Sequence, residues 1–147
     1  MSRDNGGVEQ RVGYQIKRAQ HLLRLATDAA LRPLELTTPQ YATLSAIAET
    51  PGASNAALAR RAFVTPQTMN EIVRTLVSAG LLTRQAHPEH GRVIQLYLTP
   101  HGEERLREAH VHVQHVEERM LALLNRDEQR QLGGWLRCCA DTLDTPQ

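Results

Sequence analysis

The sequence predicts a mainly α-helical chain that carries one small β-hairpin, and three observations predict it. Apolar residues recur at three- and four-residue spacing along most of the 147 residues, the period of helices that bury one face. Between residues 81 and 99 that period gives way to alternation on either side of a polar turn, HPEHG, which reads as two paired strands. Thr-Pro pairs stand at Thr38-Pro39, Thr65-Pro66 and Thr99-Pro100. A threonine hydroxyl accepts from a free N–H of a first helical turn, and a proline just inside the helix gives up no hydrogen bond.

The elements follow in order. Residues 1–7 are polar and contain glycines, and are expected to form a disordered tail. A helix is expected over 8–31, with Val12, Ile16, Ala19, Leu23, Ala26 and Ala30 on one stripe. A second is expected behind a Thr38 cap and runs to about residue 49. TPGAS breaks the chain, and Ser54 then caps a short helix, NAALARRA, whose Leu58 and Ala59 face inward. Thr65 caps the next helix, with Met69, Ile72, Val73, Leu76 and Val77 on its apolar stripe. Gly80 ends it in the left-handed conformation. In the hairpin Ile94, Leu96 and Leu98 share one face, and Val93, Gln95 and Tyr97 the other. Thr99-Pro100 launches a long helix whose Leu106, Ala109, Val113, Val116, Met120 and Leu123 form a near-heptad seam. Asn125 with Glu128 has the pattern of a capping box for a last helix, apolar at Leu132, Trp135, Leu136 and Cys139.

A formal net charge of +1 says little about partners, but its distribution says more. Between residues 51 and 100 the basic residues are Arg60, Arg61, Arg74, Arg84 and Arg92, against Glu71 and Glu89 alone, and beyond residue 100 acidic residues predominate. A basic middle suits a polyanion. No apolar run approaches the ~20 residues that span a bilayer. The opening MSRDNGGVEQ lacks the apolar segment of a secretory signal, so a cytoplasmic chain without membrane contact is expected. The two cysteines, Cys138 and Cys139, are adjacent and make no disulfide framework.

Function is concentrated at the start of the helix that follows Thr65. Its exposed positions are Gln67, Thr68, Asn70, Glu71 and Arg74, side chains that make specific hydrogen bonds. Two short helices joined by a tight turn, the second polar at its start and followed by a hairpin, form a winged helix-turn-helix. The major groove of a duplex admits one α-helix. There Gln67 and Asn70 suit adenine in bidentate fashion, Arg74 suits guanine or a phosphate, and Glu71 either accepts from the amino group of cytosine or repels phosphate and so sharpens specificity. Thr65, Thr68 and free helix-start N–H groups suit phosphate oxygens, and Ser54 belongs with them among the residues expected to meet DNA. Arg84, His90 and Arg92 lie on the arms and tip of the wing.

From about residue 38 to residue 102 the chain resembles the MarR (multiple antibiotic resistance regulator) family of winged helix-turn-helix transcription factors. The matching pieces are LARRAFVTPQTMNEIVRTLVSAGLLTR and the wing ending LYLTPHG, with flanking helices in the same order. The resemblance implies a homodimer whose terminal helices, over 8–37 and 100–147, intertwine, while residues 38–99 bind pseudo-palindromic double-stranded DNA. It further implies a regulator, typically a repressor, released by a small, often aromatic, anionic effector near the junction of the dimer helices and the reading head. By position Tyr14, His21 and Tyr41 are the candidates for lining that pocket. The apolar seams of the first and fifth helices point independently to a second copy. The chain departs from the family at the wing, where His87 and His90 replace two aspartates. It departs also at Phe63, where glycine is usual, and at Glu71, where a basic residue is common.

Other classes are weaker. No G-x-S-x-G elbow, P-loop, dinucleotide fingerprint or CxxC is present, so no enzyme class has its motif and no cofactor is expected. His110, His112 and His115 offer no pair four residues apart on one helix, so no metal site is expected. A metal- or redox-sensing regulator of the same fold, the latter through Cys138 and Cys139, is one alternative. A winged-helix protein-interaction module is another, and it predicts an apolar or acidic helix face instead of one of amides and arginine. His87 and His90 also make the wing a place where charge changes near neutrality.

Overall fold

A computed structural model describes residues 7–145, and its element order is the expected one of four helices, a hairpin and two helices. They are α1 (Val12–Leu31), α2 (Thr38–Glu49), α3 (Asn55–Ala62), α4 (Pro66–Ser78), β1 (Leu82–Ala86), β2 (Ile94–Leu98), α5 (Pro100–Met120) and α6 (Arg126–Asp144). Of the expected tail at 1–7, only Gly7 lies within the described residues. A short 3-10 turn, Val8–Gln10, precedes α1, so the first helix starts at Val12, where its apolar stripe begins, and not at the expected residue 8. No described helix is long and apolar enough to cross a membrane.

The cap of α2 is Thr37, one residue earlier than expected. Thr37 and Gln40 form a reciprocal capping box there. Thr38 is drawn into a different bond: its N–H and its hydroxyl both donate to Asp28 Oδ1, at 2.8 and 2.6 Å. That carboxylate ties the last turn of α1 to the first of α2. Burial raises the pKa of Asp28, but the two Thr38 bonds and the Arg24 guanidinium prevail and hold it below its ordinary value.

The core is formed where α2, α3 and α4 meet the end of α1 and the start of α5. Leu31, Leu44, Ile47, Leu58, Met69 and Leu76 are its largest fully buried side chains. Burial of each such side chain contributes about 1.5–3 kcal/mol, and Leu31 of α1 with Leu106 and Ala109 of α5 completes the same core. β1 and β2 pair antiparallel, with Leu82 opposite Leu98 and Ala86 opposite Ile94. The expected inner face of β2 is only partly inner: Leu96 is buried, Leu98 is half-buried, and Ile94 is 44% exposed. Ile94 sits at the outer end of the hairpin, past the reach of the helical core.

The terminal helices are different. α1 packs along α5, yet Val12, Ile16, Met120, Trp135 and Leu136 stay exposed, and α6 buries no residue at all. The α5 seam stops short of its expected end, because the helix closes at Met120 and leaves Leu123 in the following turn, 98% exposed. An apolar cleft of about 620 Å³ runs between α1, the end of α5 and α6.

Candidate nucleic-acid interface

The reading head begins at Ser54, whose side chain accepts from the Ala57 N–H at 3.3 Å and starts α3. α3 ends at Phe63, which takes the left-handed conformation with φ 56° and ψ 40°. For a residue with a Cβ that conformation costs about 1–2 kcal/mol. Phe63 thus adopts an angle that glycine takes freely, and its phenyl ring lies in solvent, 96% exposed. Thr65 then caps α4, accepting from the Thr68 N–H at 3.1 Å and donating its own hydroxyl to Thr68 Oγ1 at 3.0 Å. The Thr65 hydroxyl is thus engaged within the helix start, whereas the Thr68 hydroxyl keeps its proton for an outside acceptor.

One residue without a role in the sequence pattern links the starts of these helices. Asn55, at the first position of α3, donates from Nδ2 to the Pro66 carbonyl at 3.2 Å, at the first position of α4. The two helix starts are thereby held side by side. No local pattern in the sequence signals this bond, which joins residues on different elements.

On α4, Met69, Val73 and Leu76 are buried, while Gln67, Thr68, Asn70, Glu71 and Arg74 are all exposed. An amphipathic helix anchored by three apolar side chains thus offers a continuous polar face. Asn70 also lines a groove of about 580 Å³ between the start of α3, α4 and the hairpin, and Ser54, Asn55, Arg84 and Arg92 are in its wall. Four of the ten residues expected to meet DNA therefore share one concavity: Ser54, Asn70, Arg84 and Arg92. His90 lies apart from that groove, exposed at the wing tip with its ring 5.0 Å from that of His87. Among the described residues Arg74, Arg84 and Arg92 form no ion pair, whereas Arg61 is held by Glu49. Unpaired guanidinium groups on one face give a local positive field.

The three pocket candidates separate. Tyr14 and His21 are exposed on α1. The Tyr41 hydroxyl bonds His110 Nδ1 at 2.8 Å and joins α2 to α5. His110 in turn lines a cleft of about 360 Å³ with Ile47, Tyr97, Leu106 and Arg107. Among the described residues no three His, Cys, Asp or Glu side chains come together to hold a metal ion. Both cysteines are exposed on α6.

The MarR family model matches residues 34–93, the span from the end of α1 to the wing. The transcriptional repressor Rv2887 of Mycobacterium tuberculosis is 39% identical over 120 residues, covering 82% of this chain and 86% of that protein. The structure of Rv2887 in complex with salicylic acid matches at a TM-score of 0.74 and 36% identity, over 90% of this chain and 98% of that one. Its complex with DNA matches at 0.72 and 34%, over 92% and 98%. A capped reading helix, a wing and a likeness that runs through the flanking helices lead to one conclusion: this chain belongs to the MarR family of winged helix-turn-helix transcription factors.

Proposed function

We propose that the protein is a ligand-responsive transcriptional regulator, a repressor that binds pseudo-palindromic double-stranded DNA as a homodimer in the cytoplasm. The observation that carries the reading is the groove that gathers Ser54, Asn70, Arg84 and Arg92 beside the polar face of α4. In this reading Gln67, Asn70, Glu71 and Arg74 meet base edges, the Ser54 and Thr68 hydroxyls meet phosphates, Thr65 meets them through its backbone, and Arg84, His90 and Arg92 carry the wing contacts. An amide-and-arginine face favours DNA over a protein partner. The family is one of transcriptional regulators, and the reading includes no catalytic step.

The dimer is supported by what one copy leaves uncovered. Residues 8–37 and 100–147 are its dimerisation region, and the bare apolar side chains of α1, α5 and α6 form its seam. Two reading heads joined in this way meet half-sites about one helical turn apart, ~34 Å. A small shift between the heads then weakens binding at both. The effector is a small aromatic anion bound near Tyr41, and Tyr14 and His21, which stand apart from Tyr41 within one copy, are the other candidates for its site. The Tyr41–His110 bond supports this placement, because it joins a reading-head helix to a dimer helix.

The experiment is to release the protein from a duplex of its own upstream region with salicylate as the probe. Wild type is expected to dissociate at millimolar or lower salicylate, while Tyr41→Phe needs about five- to tenfold more, the loss of one hydrogen-bonding group. Both proteins bind the duplex equally well without salicylate. Identical release curves for the two would remove Tyr41 from the effector site.

A further inference from the structure

The turn of the wing is held by an imidazole. His87 Nδ1 lies 3.1 Å from the Glu89 N–H and 3.2 Å from the His90 N–H, and both donate to it. Nδ1 stands two bonds beyond Cβ, as Oδ1 does in asparagine, so His87 occupies the role of the acceptor in an Asx turn. The loop is closed by two backbone bonds, from the His87 N–H to the Val93 carbonyl at 2.9 Å and from the Val93 N–H to the His90 carbonyl at 2.8 Å. Arg92 is enclosed within that loop and reaches the groove beside α4.

We infer that His87 is a positioning residue for DNA binding: its neutral ring, accepting at Nδ1, sets the wing turn that aims Arg92, and protonation of the ring releases that turn. The inference rests on the DNA-binding reading above. An imidazole accepts at Nδ1 only while that nitrogen carries no proton. An imidazolium donates at both nitrogens, so protonated His87 faces two N–H donors with nothing to offer them. Histidine side chains ordinarily change charge at about pH 6.5, within the range a cell can reach.

One imidazole ring stands close to His87, and one carboxylate and one guanidinium share its turn. The His90 ring, 5.0 Å from the His87 ring and tilted 37° to it, adds a like charge when both are protonated. Glu89 and Arg92 share the turn, both exposed, and Arg84 lies farther back on β1. Of the helices that pack on the hairpin, α4 carries Glu71 and Arg74 and α2 carries Glu49, while α5 carries Glu103 and Arg107 at the opposite end of β2. None of these groups supplies a replacement acceptor to the Glu89 and His90 amides.

Added positive charge by itself strengthens DNA binding on acidification. The test therefore compares wild type with His87→Asn, which keeps the acceptor but does not titrate, and with His87→Ala, which lacks it. His90 is common to all three, so its contribution cancels, and the charge that His87 itself gains acts against the loss expected below. At pH 7.5 wild type and His87→Asn are expected to bind the upstream duplex within about twofold of each other, and His87→Ala about fivefold more weakly, the loss of two exposed backbone bonds. At pH 5.5 wild type falls about fivefold behind His87→Asn. In the free protein at pH 7.5, long-range proton–nitrogen NMR is expected to show the His87 proton on Nε2. The amide shifts of residues 89 and 90 then follow the titration of that ring.

A constant ratio between wild type and His87→Asn at both pH values would overturn the inference. So would an Nδ1–H tautomer at pH 7.5. Wild type that binds no duplex at pH 7.5 would instead overturn the DNA-binding reading, a failure that the NMR measurement on the free protein distinguishes.

Discussion

Replacing Gly102 with alanine will lower the melting temperature on the order of 10 °C, a loss of about 3 kcal/mol. A Cβ at this position would stand 2.1 Å from the Leu81 carbonyl oxygen and 3.0 Å from its carbonyl carbon. Both are backbone atoms and have no rotamer by which to retreat. The same carbonyl accepts from the Thr99 N–H at 3.1 Å, and the Thr99 hydroxyl donates to the Gly80 carbonyl at 2.6 Å. The first turn of α5 therefore lies directly on the junction between α4 and β1. Alanine there must lift α5 from the reading head or distort the cap at Thr99. Circular dichroism melts at equal protomer concentration measure the effect, since a dimer melts at a temperature that depends on concentration. A melting temperature equal to wild type would contradict this packing.

The second large effect falls on specificity and leaves stability unchanged. Asn70→Ala and Gln67→Ala should each weaken binding to the cognate duplex by about tenfold or more, since a bidentate amide–adenine pair discriminates by ~1–3 kcal/mol. Binding to a scrambled duplex of equal length should change by less than about twofold, because that affinity comes from phosphates. Both side chains are exposed and neither takes part in the core that anchors α4. Their melting temperatures should therefore match wild type. Equal losses on cognate and scrambled duplexes would place these amides on the backbone instead of the bases.

Much of this fold was legible because its signals are local. Thr65, Ser54, Thr99 and Asn125 all cap the helices they were expected to cap, since capping involves residues only three positions apart. At Phe63 the departure from glycine was readable, but the left-handed angle was not, because a residue with a Cβ ordinarily avoids it. Where two long-range and local interactions compete, the sequence misleads. Thr38 looks like the cap of α2, but Asp28, ten residues upstream, takes both of its donors, and Thr37 caps in its place. The Asn55–Pro66 bond and the approach of Gly102 to Leu81 join separate elements and leave no periodic trace. The polar face of α4 was readable as a face. Its neighbours across the groove, Arg84 and Arg92, were readable only as residues of a wing, because closure of the groove depends on how the hairpin packs. The three pocket candidates were chosen by position along the chain, and within one copy only Tyr41 makes a contact between reading head and dimer helix.

Duplex binding through paired reading heads and arginine-bearing wings is tested by fluorescence anisotropy on a duplex from the protein's own upstream region, repeated across a salt series. Wild type and Arg92→Ala are the pair to compare, because Arg92 is exposed and outside the core. The account predicts saturable binding that weakens steeply with salt. It predicts further that the slope of log K against log salt falls by about 2 in the variant, one phosphate contact for each protomer of a dimer. Binding that is absent from every duplex, or a salt slope that Arg92→Ala leaves unchanged, would contradict it.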